Sequence, residues 1–266
     1  MPASAIVAGL LIFVAVANPG IPASRLHPWG KPTCLKQDEV TLHNLAYDCC
    51  YSQRLRVARW VAYLYTPGGP RQSRRYRGGF TADPRLGPEG PAPADYVGVG
   101  RLGLDRGHQA PDASIRRFGP KAQKETYYLS NITPQYQRVN RNIWQELESA
   151  IREWAGKSDT VWVVTGPVFN AGRDTQWLGR RRIAVPHAYF CAVRRTGTTG
   201  LLALLVPNAR NGYSWADAPG FLVSVDSVEK LTGLDLFPRL KPAEAQRLES
   251  APARQLWPRP DKRRGP

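Results

Sequence analysis

The chain has 266 residues, 42% of them apolar and 22% charged, a balance ordinary for a globular protein and unlike that of a disordered chain. That length supports a sizeable core in one large domain or two small ones. Lys and Arg outnumber Asp and Glu by 37 to 21, a net charge of +16, which points to a polyanionic partner (nucleic acid, an anionic membrane surface or acidic polysaccharide), a basic surface kept for solubility being the plainer reading.

The chain begins MPASAIVAGLLIFVAVANPGIPAS. Residues 5–17 form an uncharged apolar run, shorter than the roughly 20 residues of a membrane span and suited to the apolar region of a signal peptide. Ala15-Val16-Ala17 offers a small-x-small cleavage pattern. Residues 1–24 therefore read as a signal peptide of an exported (secreted or periplasmic) protein, with an uncleaved membrane anchor as the alternative. Four cysteines follow, Cys34, Cys49, Cys50 and Cys191, with no C-x-x-C spacing for zinc. Export favours disulfides; adjacent Cys49 and Cys50 rarely pair with each other, so each would seek a distant partner, and buried thiols are the other reading.

RLRVARWVAYLYTP, residues 54–67, is a β-prone apolar run closed by Pro67. Residues 68–93 form a long Gly-, Pro- and Arg-rich loop, the most basic stretch of the chain, with Arg71, Arg74, Arg75 and Arg77 close together. LDRGHQAPDAS, residues 104–114, reads as a short polar loop. Residues 140–157, NRNIWQELESAIREWAGK, predict a helix that buries Ile143, Leu147, Ile151 and Trp154 and stops at Gly156. TVWVVTGPVF and LLALLVP read as buried strands, and FLVSVDSVEKLTGLDLF as a strand, a capped helix and an aromatic anchor. Residues 246–266 read as a basic, disordered tail. With no internal repeat and no linker, a single α+β domain over residues 25–245 is the simplest account.

His108, one of four histidines, stands beside Asp105, Arg106 and Gly107. An imidazole is a usable base at neutral pH, and a nearby cation keeps it neutral. Arg106 offers a fork of donors suited to phosphate. Gly107 would let a phosphate backbone approach closely. Asn131, Asn140, Asn142 and Glu148 supply oxygen ligands of the kind Mg²⁺ prefers. Glu148 lies eight residues after Asn140, about 12 Å along an α-helix at about 1.5 Å per residue, so the two would not share one ion directly. Arg152, one turn past Glu148, would orient that carboxylate.

DRGHQAP, then LSNITPQ, then an Asn before a Trp, then LE, resembles the DNA/RNA non-specific endonuclease family. The ADY before DRGH, the VTGP strand, the VP-AY stretch and VSVDSVEKLTGLDLFP extend the resemblance over roughly residues 42–240. It implies a central antiparallel sheet flanked by helices, with a ββα-metal (His-Me finger) active-site motif. It also implies Mg²⁺, with Mn²⁺ as a substitute, and both DNA and RNA as substrates; a homodimer is compatible with it. By the same resemblance His108 is the general base and Asn140 the metal ligand. Glu148 then acts on the ion through water, with Arg152 beside it. Asn131 is a second functional amide, and Arg106 and Arg77 contact phosphate, with Arg75 as the alternative to Arg77. The implied products carry 5′-phosphate and 3′-hydroxyl ends. The rival readings are a non-catalytic nucleic-acid-binding or DNA-uptake protein on this fold and a phosphodiesterase for small phosphates. A zinc HNH nuclease lacks its paired His or Cys ligands here.

Overall fold

A computed structural model describes residues 27–66, 76–156, 159–170, 174–196 and 200–259. The leader, Arg71, Arg74, Arg75 and the last seven residues lie outside the described residues. Among the described residues no helix is long and apolar enough to cross a membrane.

Seven antiparallel strands form the main sheet: β1 (Glu39–His43), β2 (Tyr47–Ser52), β3 (Val57–Tyr65), β6 (Val161–Val168), β9 (Ala188–Arg195), β10 (Leu201–Pro207) and β11 (Leu222–Val223), side by side in that order. Two small antiparallel pairs stand beside it: β4 (Leu104–His108) with β5 (Ile132–Tyr136), and β7 (Gln176–Leu178) with β8 (Ile183–Val185). Side chains of a strand alternate between faces. In β6, Val161 and Val163 join one core layer while Trp162 and Val164 join the other. Burial on both faces makes the strand read as a largely apolar run rather than an alternating one.

The first layer is closed by helix α3 (Gln145–Trp154), which contributes Leu147, Ile151 and Trp154. A π turn, Val139–Trp144, leads into it, with Gln145 N–H reaching back to the Asn140 carbonyl. The expected helix is therefore present, with a wider opening turn than the sequence suggests. Gly156, with φ +56°, takes the left-handed conformation that ends it. The opposite layer is closed by α4 (Val225–Thr232), capped by Ser224 Oγ accepting from Ser227 N–H, with Phe237 as the buried anchor. Two short helices, α1 (Asp112–Ile115) and α2 (Pro120–Thr126), fill the excursion between β4 and β5.

The structure corrects three sequence expectations. LDRGH is strand β4 rather than a loop, paired residue for residue with β5. Only Arg106 of the strand is exposed, Asp105 and His108 are half-buried, and Leu104 and Gly107 are buried, so a polar sequence belongs to a largely covered strand. Residues 246–259 are not a loose tail. Helix α5 (Pro242–Glu249) precedes a segment in which Trp257 meets Trp154 edge-on at 5.3 Å. Arg259 in that segment forks onto Glu153 and bonds Glu146, so it clamps the outer side of α3. Third, the neighbour that requires glycine at position 107 is a β5 side chain, Gln135, rather than a phosphate backbone. Cys34 and Cys50 form a disulfide, and Cys49 and Cys191 are buried thiols. Strand alternation separates the two adjacent cysteines: Cys49 faces the α3 layer and Cys50 the α4 layer.

Candidate active site

Strands β4 and β5 and helix α3 form a ββα unit, and every sequence-predicted site residue except Arg77 lies on these elements or on the segments that join them. His108 ends β4, opposite Ile132. The chain then leaves the strand under tight control from Asn131. Its Oδ1 accepts the Ala110 N–H at 2.8 Å, and its Nδ2 donates to the carbonyls of Ala110 and Thr126, each at 3.0 Å. The Asn131 backbone carbonyl accepts the Gln109 N–H at 3.0 Å. Asn131 is fully buried and its amide is spent on backbone, so its place here is to hold the exit from His108.

Gly107 is buried, and its missing side chain is replaced by Gln135: an added Cβ would lie 2.3 Å from Gln135 Oε1. The close approach that demands glycine is therefore made by a neighbouring strand's side chain rather than by a phosphate backbone.

An aromatic cluster surrounds His108. The Phe80 ring lies 5.3 Å and the Tyr127 ring 5.4 Å from the imidazole, and Tyr76 extends the cluster at 5.0 Å from Tyr127. The Arg106 guanidinium stacks on Phe80 at 4.5 Å. Asp83 delivers Phe80 to this position. Its carboxylate accepts from Ser130 Oγ at 2.6 Å and from Arg85, and Thr81 pairs its backbone with Tyr127 and Leu129. Arg77 is exposed on the same segment, between Tyr76 and Phe80. The imidazole as a whole is half-buried, with Nε2 sealed from solvent and without a hydrogen-bond partner among the described residues. That burial, with Arg106 adding to it and Asp112 opposing, lowers the His108 pKa to about 4.

Asn140, in the π turn, donates from Nδ2 to Asp105 Oδ2 at 3.0 Å. Arg141 grips the same carboxylate through Nε and a terminal nitrogen, both at 2.8 Å. Burial alone would raise the Asp105 pKa, but these hydrogen bonds hold it below the usual carboxylate range. With Nδ2 committed, the amide presents Oδ1, a hard neutral oxygen suited to Mg²⁺. Glu148 is on α3, and burial pushes its pKa up to about 8; Arg152 opposes the rise and Asp112 adds to it. A carboxyl so placed would shed its proton to a cation. Arg152 acts on Glu148 by proximity of charge, while its hydrogen bonds run to Ser149 Oγ at 2.8 Å and Ser114 Oγ at 3.5 Å. It thus stitches α3 to the helix that follows His108.

Several contributors escaped the sequence reading. Asp105 and Arg141 fix the Asn140 amide, and Phe80 and Tyr127 enclose His108. Asp112 influences both His108 and Glu148, and accepts a 2.6 Å hydrogen bond from Gln123. Tyr189 of the VP-AY stretch ties β5 to the main sheet by donating to the Pro134 carbonyl at 2.9 Å. Asn208 secures the far end of β5 through the Tyr136 N–H.

A ββα unit carrying a histidine, an asparagine and a glutamate on the flank of an antiparallel sheet defines a class, and comparison with known proteins gives it a family. The chain belongs to the DNA/RNA non-specific endonuclease family, whose model matches residues 30–243. It is 32% identical over 220 residues to a nuclease of Serratia marcescens, a match covering 80% of each chain. It is 36% identical over 216 residues to the human mitochondrial nuclease EXOG, covering 75% of this chain and 56% of that one. It thus spans little more than half of that relative. A solved EndoG/EndoGI complex has the same fold, with a TM-score of 0.70 at 23% identity, covering 85% of this chain and 95% of that one.

Proposed function

We propose that the protein is a divalent-metal-dependent endonuclease that hydrolyses phosphodiester bonds of both DNA and RNA. The observation that carries this reading is the pairing, on one ββα unit, of a neutral half-buried imidazole with an asparagine amide turned by Asp105 to present oxygen.

With Nε2 sealed, Nδ1 is the ring nitrogen that water reaches, so the neutral ring keeps its proton on Nε2 and accepts at Nδ1. His108 takes a proton from water, and the resulting hydroxide attacks phosphorus in line with the 3′ oxygen. The P–O3′ bond breaks, leaving a 5′-phosphate and, after proton uptake, a 3′-hydroxyl. Arg106, held by its stack on Phe80, and Arg77 stabilise the non-bridging oxygens. Asn140 Oδ1 would hold the ion, and Glu148 would hold water around it. When bound, Mg²⁺ or Mn²⁺ supplies positive charge to the phosphoryl and leaving oxygens. Attack by external water makes no use of a ribose 2′-hydroxyl, which is why both sugars are accepted. The excess of Lys and Arg binds backbone phosphate, a contact that carries no base sequence.

The test is cleavage of supercoiled plasmid and single-stranded RNA, each with Mg²⁺ and with EDTA, followed by end-labelling. Metal-dependent cutting of both to 5′-phosphate ends is expected. Retarded but uncut nucleic acid would favour a binding protein on this fold.

A further inference from the structure

Asp226, Glu229 and Glu249 bring one carboxylate oxygen each to within 4.8 Å of one another. Asp226 lies in the first turn of α4 and Glu229 one turn on; Glu249 is the last residue of α5. These helices cover the layer with Val228, Leu234 and Leu248, across the main sheet from α3. Glu249 also falls beyond residues 30–243, the extent of the family match.

The cluster is more than a group of surface acids. Glu249 is only 8% exposed, and its Oε1 is buried without a hydrogen-bond partner among the described residues. An unpaired buried carboxylate oxygen beside two further carboxylates is costly unless positive charge or a proton meets it. Arg194 opposes the Glu249 shift from a distance: one terminal nitrogen donates to Glu244 Oε1 at 2.7 Å, the guanidinium stacks on Trp29 at 4.7 Å, and its other nitrogens make no hydrogen bond to Glu249. Glu229 gives Oε1 to the Leu236 N–H at 2.7 Å, which fixes its side chain and leaves its other oxygen. Burial raises the Glu249 pKa to about 7, and Glu229, Asp235 and Asp226 add to the rise.

We propose that Asp226, Glu229 and Glu249 form a binding site for a hard divalent cation, Ca²⁺ in preference to Mg²⁺, which ties α5 to α4. The ligand set is all carboxylate, which selects hard ions. Separations up to 4.8 Å suit metal–oxygen bonds of about 2.4 Å, with water completing the shell; Mg²⁺ demands a tighter octahedron. The site is independent of the proposed nuclease chemistry.

The experiment is calorimetric titration of Ca²⁺, with Mg²⁺ in parallel, into the Asn140→Ala protein, which lacks the proposed active-centre ligand. Melting curves are taken in EDTA and in millimolar Ca²⁺. The expected result is one Ca²⁺ bound per chain, more tightly than Mg²⁺, and a higher melting temperature. Adding Glu229→Gln and Glu249→Gln should weaken binding at least about tenfold and abolish the Ca²⁺ shift. Stability in EDTA should hold or rise, because mutually repelling carboxylates are gone. Should that protein not fold, the exposed Asp226→Asn change gives the same readout. No Ca²⁺ binding, or binding indifferent to these substitutions, would overturn the proposal. Tighter Mg²⁺ binding would overturn the choice of ion.

Discussion

Asp105 Oδ2 accepts a hydrogen bond from Asn140 Nδ2 at 3.0 Å, joining the strand that carries His108 to the turn that carries the amide proposed to hold the metal. The bond commits Nδ2 and so leaves Oδ1 as the end of the amide that would face an ion. Asp105→Ala should raise the Mg²⁺ concentration needed for half-maximal activity by about 10- to 100-fold, the usual cost of losing a residue that orients a ligand. Asp105→Asn keeps an acceptor for Asn140 and loses the charge facing Arg141, so it should fall between wild type and Asp105→Ala. Mg²⁺ titrations of the three proteins check this order.

In the proposed mechanism the low His108 pKa, about 4, places the imidazole's own acid limb far down the activity profile. The base must be neutral, so kcat/KM at saturating Mg²⁺ should lose no activity through His108 protonation until well below pH 6. A limb near the ordinary histidine value of about 6.5 that does not move as Mg²⁺ is raised, as a Glu148 titration would, would show that the imidazole is not enclosed in solution.

Much of this site was legible in the sequence, and the remainder was not, for physical reasons. His108, Asn140 and Glu148 are chemically distinctive and fall in order along one chain. Asp105 and Arg141 are ordinary surface residue types, and their pairing depends on a fold that brings together positions far apart in sequence. Phe80 and Tyr127 reach His108 only because Asp83 and Ser130 join two separate segments. Strand β4 was hidden because it is short and its sequence is polar although largely covered. Strands β3, β6 and β10 were plain because burial on both faces makes them largely apolar, with Arg59 and Thr165 as the polar interruptions.

Glu148 and His108 give the metal-free protein a characteristic pH dependence. The Glu148 pKa is raised in the folded state to about 8 from an ordinary 4.5, so its contribution to stability is lost as pH rises from 4.5 through 8. The His108 pKa is lowered from 6.5 to about 4, so its contribution is lost as pH falls below 6.5. Between pH 6.5 and 8 the His108 contribution is constant while that of Glu148 falls; Glu249, with a pKa raised to about 7, adds to the fall only in the lower part of the window. Denaturation in EDTA should therefore show wild type losing up to about 2 kcal/mol more than Glu148→Gln over that window.

The segment after α5 should matter for stability. Trp257 packs against Trp154 on the helix that carries Glu148. Trp257→Ala should cost about 2 kcal/mol, less than a fully buried tryptophan because Trp257 is half-buried. Urea unfolding monitored by circular dichroism measures the loss.

Binding through backbone phosphate releases counterions, so cleavage at subsaturating substrate should fall steeply between about 50 and 200 mM salt, as a straight line on logarithmic axes. A flat response would contradict phosphate-driven binding.

The central claim is that His108 is the base at an assembled site. The most direct measurement compares wild type with His108→Ala on the same plasmid and RNA, scoring binding by gel retardation without metal and cutting after Mg²⁺ is added. The account predicts that the variant binds as wild type does and cuts at least about 100-fold more slowly, the loss expected for a general base. A variant that cuts both substrates within a few-fold of wild type would contradict it.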